Sequence, residues 1–494
     1  MNAKLTNLCL VVCLSAITFI GPVYLWSISP DWISNTYGKS YELFELFGFF
    51  SAVSIAIYLC IFMLKRNSQG NTSIILTVTF IIILLRYNLV FSEYSFKSFD
   101  YSQYEKAAIA VFKDKNPYEE ATYLYPPLFA QCLAKTYAMI NHLIYSFNTN
   151  YQDETAKLLL FYTYQSLQFA NIIFLTYLCI LFGRNLKISP TTLSVILLVL
   201  LMINTPITRT LRHNQVNLFV INFLLVSLLL MEISPELCGF FLAIAIHIKV
   251  YPLLLLLPLV IMHKFRVILS CIATVILIVG LQTTGFTDFS IYRAFIEFFI
   301  SFPQSHYYRD TGLFSIVYNF FYFGGILNHH PTDLNLRLVS IIAWVLRLGI
   351  FTWFLFRLFK REITYRADSS HAFSSANQPV DLQKIRWYGH FTDTLLFATL
   401  LSPKVWEHHY VFIIPVFIWG FTLLDSKNIK WFMASLILIN ILPITDIFPL
   451  SYHRFIGVLI LISILPYKKL PSPIPPEVVC SRVKKEKNAR DFSE

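Results

Sequence analysis

A carboxylate and several tyrosines occupy the longest polar interruption in the first half of an otherwise very apolar chain. The stretch begins at Asp100, ends at Phe129, and contains Tyr104, Tyr118 and Tyr125, the last of which precedes two prolines. A carboxylate can accept the proton of a hydroxyl group during nucleophilic attack. A short amphipathic helix at a membrane surface follows this carboxylate. Together they predict a catalytic site at the membrane face that acts on a lipid-borne substrate.

The same residues also permit a purely structural interpretation. Tyr101 and Tyr104 recur at helical spacing after Asp100, and Gln103 follows the aspartate by three residues. An aspartate followed by glutamine at that distance is a favourable arrangement for a helix N terminus. The turn at Tyr125 could likewise be a helix start with proline in the first turn. Capping and catalysis therefore both stay open as roles for Asp100.

Three later segments carry cationic, amide and imidazole groups of the kind that stabilise negative charge. They are residues 212–217, 249–251 and 402–409. Polar groups at membrane depth are costly and are functional candidates by default. Lys249 could instead extend to the interface and bind lipid headgroups in general. His408 and His409 resemble a metal-binding pair, but adjacent helical residues do not share a face and no third ligand accompanies them, so we expect no metal site.

The composition defines the class of protein that must position these residues. The chain has 494 residues, of which 56% are hydrophobic and 14% charged, and its mean hydropathy is +0.60. A soluble domain carries about 25% charged residues. Apolar segments of about 20 residues, the length that crosses a bilayer, recur along this chain. The sequence therefore predicts an all-α, polytopic integral membrane protein.

The basic residues favour a membrane topology over a nucleic-acid partner. The formal net charge is +11, and lysine and arginine lie mainly in short loops between apolar segments and in the C-terminal tail. This distribution is the one that the positive-inside rule describes. The eight cysteines lack the spacing of a metal or disulfide framework.

Applied along the chain, the charge rule predicts about 13 or 14 spans with both termini inside. We expect an N-terminal transmembrane hairpin over residues 1–73, a transmembrane core over 74–467, and a basic, proline-rich tail over 468–494. Few apolar residues and high charge predict that the tail is disordered.

Within the core, an outer loop at 93–156 contains Asp100, and an inner loop covers 360–390. Residues 125–147 either cross the membrane or lie at its surface, and the charge rule favours the surface. In this topology Asp100 and all three polar segments lie at the outer ends of spans.

Four motifs, in the same order and with similar spacing, resemble a known enzyme family. They are Asp100-x-x-x-Tyr104 with Asn116-Pro117-Tyr118 and Tyr125-Pro126-Pro127-Leu128, then His213-Asn214-Gln215-Val216-Asn217, Ile248-Lys249-Val250-Tyr251-Pro252-Leu253 and Ser402-Pro403-x-x-Trp406-Glu407-His408-His409. The family is that of the bacterial polyprenyl-phosphate-mannose-dependent α-1,2-mannosyltransferases, in the GT-C superfamily of membrane glycosyltransferases. The resemblance covers residues 74 to 465. It departs from the family at Asn214, where glycine is usual, and in the additional N-terminal hairpin.

The resemblance implies a hexosyltransferase that moves mannose from a polyprenyl phosphate to a hydroxyl of a glycolipid or glycan. It implies that Asp100 is the base, that the reaction inverts the anomeric carbon to an α-linkage, and that no cofactor or metal is needed. The residues expected to bind the donor phosphate or substrate are Arg212, His213, Gln215, Asn217, Lys249, Tyr251, Trp406, His408 and His409. Those expected to bind the acceptor or position the loop are Tyr104, Tyr118, Tyr125 and Glu407. The expected location is a bacterial inner membrane, with the site on the periplasmic side.

Other functions stay open at this point. A transporter or flippase for lipid-linked sugars would also be polytopic, although such proteins often show internal repeats and broken helices at mid-bilayer, and no clear repeat is present. A non-catalytic scaffold is a further alternative. Among enzymes, an arabinose or glucose donor is the nearest competitor, and the acceptor could be a glycolipid, a polysaccharide precursor or a protein.

Overall fold

The computed structural model describes residues 72–93, 97–145, 152–302, 307, 309–327, 332–372, 379–423, 427–442 and 448–465. The predicted N-terminal hairpin, except for its last two residues, and the predicted tail lie outside these ranges, as does part of the predicted inner loop. The regular structure within the described ranges is helical and contains no strand. The predicted all-α membrane fold is therefore confirmed.

The α-helices are numbered in chain order. They are α1 Thr72–Glu93, α2 Phe99–Phe112, α3 Pro117–Glu120, α4 Pro127–Tyr145, α5 Gln152–Asn185, α6 Pro190–Leu197, α7 Thr205–Arg212, α8 Asn217–Leu230, α9 Pro235–Ile248, α10 Leu256–Ile261, α11 Phe265–Gln282, α12 Ser290–Ser301, α13 Leu313–Phe323, α14 Asp333–Ala372, α15 Pro379–Leu401, α16 Ile414–Leu423, α17 Ile429–Leu436 and α18 His453–Ile464. Short 3₁₀ helices cover Tyr251–Leu255, Glu407–Ile413 and Leu450–Tyr452, and π-helical turns cover Leu198–Met202 and Ile437–Ile441.

Among the described residues, three helical stretches are long and apolar enough to cross a membrane: Asp153–Asn185, Phe265–Gln282 and Asp333–Arg366. A fourth span results if Pro190–Met202 and Thr205–Arg212, which meet at 45°, count as one. Several of the other predicted spans within the described residues form apolar helices of 10–17 residues. Helix α4 is not among these candidates, and whether residues 125–147 cross the membrane or lie at its surface stays a prediction. The predicted total of spans stays a prediction.

Helix starts follow the local rules of capping. Asn116 and Ser189 accept hydrogen bonds from backbone N–H groups of α3 and α6, and a proline is the first residue of each helix. Asn204 caps α7 in the same way. These side chains satisfy backbone donors that have no partner within the helix. The polar residues between apolar segments thus define where the helices begin.

Two π-helical turns meet next to α7. Asn204 Nδ2 donates a hydrogen bond of 2.9 Å to Asn440 Oδ1, and both side chains are buried. Thr205 Oγ1 donates at 3.3 Å to the carbonyl of Ile441. Such turns break the regular ladder and free backbone groups for other contacts. Here they fix the bend that directs α7 toward residues 213–217.

A buried ion network joins α14, α15 and the end of α18. Arg357 and Arg361 both pair with Asp393, at 2.9 and 2.7 Å, and all three side chains are buried. Arg357 also donates to the carbonyls of Ile462 and Leu465. Charges at this depth are tolerated only when they are paired and hydrogen-bonded. The network therefore fixes the packing of three helices away from the polar motifs.

Candidate active site

Asp100 lies in the first turn of α2, where it is the second residue of the helix. The N-cap is Ser98, whose Oγ accepts from the backbone N–H of Tyr101 at 3.1 Å and donates to the carbonyl of His213 at 2.6 Å. Gln103 accepts from the backbone N–H of Thr122 at 3.0 Å and completes no capping box with Asp100. The capping role considered for Asp100 is therefore wrong, because serine already occupies that position.

Gln215 connects the Asp100 carboxylate to two tyrosine hydroxyls through hydrogen bonds. Its Oε1 accepts from the hydroxyls of Tyr104 at 3.1 Å and Tyr125 at 2.8 Å. Its side chain also forms a hydrogen bond with Asp100. Since the two phenols occupy the oxygen, the amide nitrogen is the group that donates to the carboxylate. The tyrosines thus orient the donor that holds Asp100.

The electrostatic environment of Asp100 contains opposing contributions. Burial raises the pKa of the carboxyl group, the hydrogen bond from Gln215 and the charge of Lys249 lower it, and the charge of Glu407 raises it again. The result is a pKa above the usual range for aspartate. The side chain of Asp100 is still 32% exposed, and its Oδ2 lies 4.0 Å from His213 Nδ1. A carboxylate of this kind is accessible to substrate and is a stronger base than an exposed aspartate.

The nearest imidazole is neutral at physiological pH. Burial, followed by the charge of Arg209, lowers the pKa of His213 to about 4. His213 therefore does not form a charged pair with Asp100 near pH 7. It is available as a hydrogen-bond donor or acceptor beside the carboxylate.

Lys249 lies between α9 and the 3₁₀ helix that starts at Tyr251. Its Nζ donates a hydrogen bond of 2.6 Å to Asn217 Oδ1 and lies 5.3 Å from the ring centre of Tyr125 and 5.9 Å from that of Tyr251. Burial lowers the pKa of the ammonium group to about 7, although the charge of Asp100 opposes this effect. A buried ammonium with aromatic rings on two sides is suited to bind an anionic group of a substrate.

The segment at 406–409 completes the cluster. The carbonyl of His408 accepts from Asn217 Nδ2 at 2.9 Å, and its ring lies 6.2 Å from the ring of His213. Burial, and then the charges of His409 and Lys249, lower the pKa of His408 far below the usual range for histidine. His408 is therefore neutral, and Lys249 and His213 both lie close enough to it for charge on either to act on the ring.

Other residues of this segment support its geometry. The backbone N–H of Trp406 donates to His409 Nδ1 at 2.9 Å, so His409 stabilises the start of the 3₁₀ helix. Glu407 is buried, and its Oε1 lies 3.8 Å from Arg209 Nε. Arg209 was not predicted from the sequence. This pairing provides the buried glutamate with a counter-charge.

Asn214 adopts a backbone conformation that explains the departure from glycine. Its φ is +52°, in the left-handed region, which asparagine tolerates better than most residues other than glycine. Its carbonyl accepts from Tyr164 at 2.6 Å, and its Oδ1 accepts from Gln165 at 2.6 Å. Gln168 donates to the carbonyl of Gln215 at 2.7 Å. Helix α5 therefore fixes the loop that presents Gln215.

These α5 residues were not among those predicted from the sequence. A signal was present, because Gln165 and Gln168 are amides within a long apolar helix, and polar groups inside a span need partners.

The remaining predicted residues lie at the edge of the cluster. Tyr118 donates to the carbonyl of Tyr125 at 2.9 Å and so supports that tyrosine. The Tyr251 ring packs edge-on against Phe412, with centroids 4.8 Å apart. Arg212 is half-buried next to His213 and contributes to lowering its pKa.

The described part of the chain holds no group of three or more His, Cys, Asp or Glu side chains arranged for a metal ion.

The chain matches the sequence model of a known protein family. The sequence model of glycosyltransferase family 87 matches residues 123–374, slightly more than half of the chain. The matched range includes Tyr125, Gln215 and Lys249, whereas Asp100 and His408 lie outside it. No curated protein matches the chain significantly.

Proposed function

Because this chain belongs to glycosyltransferase family 87 and is a membrane glycosyltransferase, we propose that it transfers mannose from a polyprenyl-phosphate sugar to a hydroxyl of a glycolipid or glycan. The reaction takes place at the outer face of a bacterial inner membrane. It inverts the anomeric carbon and forms an α-linkage, α-1,2 by the resemblance of the motifs. The alternative of a lipid-linked sugar transporter is not carried forward, since the family is one of glycosyltransferases.

The observation that supports this proposal most directly is the state of Asp100. Its carboxylate is not used for helix capping, is one-third exposed, and is held by the amide of Gln215. In the proposed reaction it accepts the proton of the acceptor hydroxyl while that oxygen attacks the anomeric carbon. A single displacement of this kind inverts the configuration, so a β-linked donor gives an α-linked product.

The cationic side of the cluster is suited to the leaving group. When the bond between the anomeric carbon and the phosphate oxygen breaks, the electron pair stays on the phosphate and its charge increases. Fixed positive charge or hydrogen-bond donors at that position stabilise the transition state. Lys249 supplies the charge, and His408 and Arg212 supply further donors. Phosphate is already a good leaving group, so the mechanism needs no strong general acid.

Product analysis with purified protein tests the proposal. The protein is incubated with radiolabelled polyprenyl-phosphate mannose and candidate glycolipid acceptors, and Asp100→Asn serves as the inactive control. We expect a labelled glycolipid from which α-mannosidase releases the label. Transfer from the glucose or arabinose donor instead of the mannose donor would correct the sugar. No transfer from any polyprenyl-phosphate sugar, or transfer from a nucleotide sugar, would overturn the proposed donor class.

A further inference from the structure

The segment that precedes the 3₁₀ helix at Glu407–Ile413 is held by a second stretch of chain far from it in sequence. Asp310 Oδ1 accepts from the backbone N–H groups of Gly312 and Val405, both at 2.8 Å. Thr311 donates to the carbonyl of Val405 twice, from its backbone N–H at 2.8 Å and from its Oγ1 at 2.9 Å. Both backbone groups of Val405 are thus bound by Asp310 and Thr311.

These contacts are buried and close-packed. Asp310 is 1% exposed and Val405 is 1% exposed. A Cβ atom on Gly312 would lie 2.6 Å from the carbonyl oxygen of Pro403, so the two stretches touch through their backbones. Thr311 Oγ1 also lies 2.7 Å from the hydroxyl of Tyr410, within the 3₁₀ helix itself. We call the contacts of residues 310–312 with 403–405 and Tyr410 the backbone clamp.

The clamp fixes where the site segment begins. Val405 lies outside any helix, so its N–H and carbonyl have no helical partner, and a buried backbone group without a partner is costly. Glu407 and His408 follow it directly. The negative charge of Asp310 also interacts with Lys404 and Arg347, which compensates the burial of the carboxylate.

We propose that Asp310 is a positioning residue for the transferase site, which acts by holding Val405 and thereby the position of His408. This inference rests on the proposed function for its effect on turnover. The structural part of the inference, namely that Asp310 orders residues 405–410, does not depend on which reaction the protein catalyses. Neither Asp310 nor Thr311 belongs to the four motifs found in the sequence.

The variants separate positioning from general stability. Asp310→Ala removes both hydrogen bonds, whereas Asp310→Asn keeps an Oδ1 that can accept them. Thr311→Val removes only the hydroxyl contacts and provides a milder second variant. The matched control is Asp288→Ala, because Asp288 Oδ1 also accepts from an N–H two residues later, that of Ser290 at 2.8 Å, at an exposed position.

We expect Asp310→Ala to lower kcat at least about tenfold, with Asn recovering most of the loss and Asp288→Ala unchanged. In a His408→Ala background the further loss from Asp310→Ala should be below about threefold, because residues that act through one another are not additive. Hydrogen–deuterium exchange of the full chain in detergent should be faster at residues 405–410 in Asp310→Ala and Thr311→Val, and, outside the clamp residues 310–312 and the start of α13, the other helices should be unaffected.

Three results would overturn the inference: unchanged exchange at residues 405–410, a loss of activity that only follows the folded fraction, or a full additional loss in the His408→Ala background. A wild-type protein that transfers no sugar, but whose exchange responds to Asp310→Ala as expected, would overturn the proposed function and leave the clamp supported.

Discussion

Lys249 Nζ donates a hydrogen bond of 2.6 Å to Asn217 Oδ1, and the amide nitrogen of Asn217 donates in turn to the carbonyl of His408. An ammonium group has three N–H donors, so this contact orients Lys249 and leaves donors for a substrate anion. The same lysine lowers the pKa of Asp100. The proposed leaving-group side and the proposed base are therefore electrostatically coupled.

Replacement of Lys249 by methionine tests its role with the leaving group. Methionine preserves the length and apolar stem but removes the charge. We expect donor binding and turnover to weaken together by about 1–3 kcal/mol, or roughly 5- to 150-fold in kcat/KM, because a charge-assisted contact is lost. Lys264→Met, which removes an ion pair with Glu232 outside the cluster, is the control. Unchanged kinetics would reduce Lys249 to a structural residue.

The fall of kcat/KM at low pH, the acid limb of its pH profile, should reflect protonation of Asp100. A base must be deprotonated, so activity falls as the pH falls through its pKa, which is raised in this site. Gln215→Leu removes a hydrogen bond to the charged form, raises the pKa further and moves the acid limb to higher pH. Glu407→Gln removes a like charge and should move the limb to lower pH. Shifts of the same sign in both variants would contradict the assignment of the limb to Asp100.

The alkaline limb should reflect Lys249. Its pKa is lowered to about 7, so the ammonium loses its proton and its attraction for the donor phosphate as the pH rises through that value. The limb should be absent in Lys249→Met, whose residual activity does not depend on this proton. A limb that persists unchanged in the variant would assign it to another group.

The ion network at Asp393 should matter for stability. Asp393→Ala leaves Arg357 and Arg361 buried without their counter-charge, and we expect a loss of about 3–5 kcal/mol, measured by thermal unfolding in detergent. Arg293→Ala breaks an ion pair whose side chains are 81% and 64% exposed, and it should leave the unfolding temperature nearly unchanged because water screens the pair. Equal effects of the two substitutions would show that burial of the Asp393 network does not determine its contribution.

Cysteine labelling checks the topology on which the position of the site depends. In a variant without the native cysteines, we expect Lys115→Cys to react with a membrane-impermeant maleimide added from outside. Lys115 is exposed and follows α2, on the predicted outer loop. Ser374→Cys, in the predicted inner loop and outside the described residues, should be protected until the membrane is permeabilised. The reverse pattern would place Asp100 on the inner face.

The helical segments and the four polar motifs could be predicted from local patterns in the sequence. The length of an apolar segment and the turn residues at its ends are features of neighbouring residues, so a short window of sequence contains them. They did not distinguish Ser98 from Asp100 as the cap of α2, since serine and aspartate cap about equally well. Asp310 was missed because its partner Val405 is 95 residues away. Tyr164 was missed for the same reason, since its contact with Asn214 depends on how α5 packs. Such pairings are set by tertiary packing and leave no periodic signal.

The central claim is that Asp100 is the base, and the rate of sugar transfer by Asp100→Asn tests it most directly. Asparagine keeps the size of the side chain and an oxygen that Gln215 can bind, but it cannot accept the proton of the acceptor hydroxyl. With Asp288→Asn as the exposed control, and with equal amounts of folded protein, we predict that transfer falls by about 10²-fold or more while thermal unfolding is unchanged. Transfer within about threefold of the wild-type rate would contradict the account. The search for the base would then turn to Glu407 and to Glu105, a buried carboxylate of α2 that pairs with Lys97 at 2.9 Å.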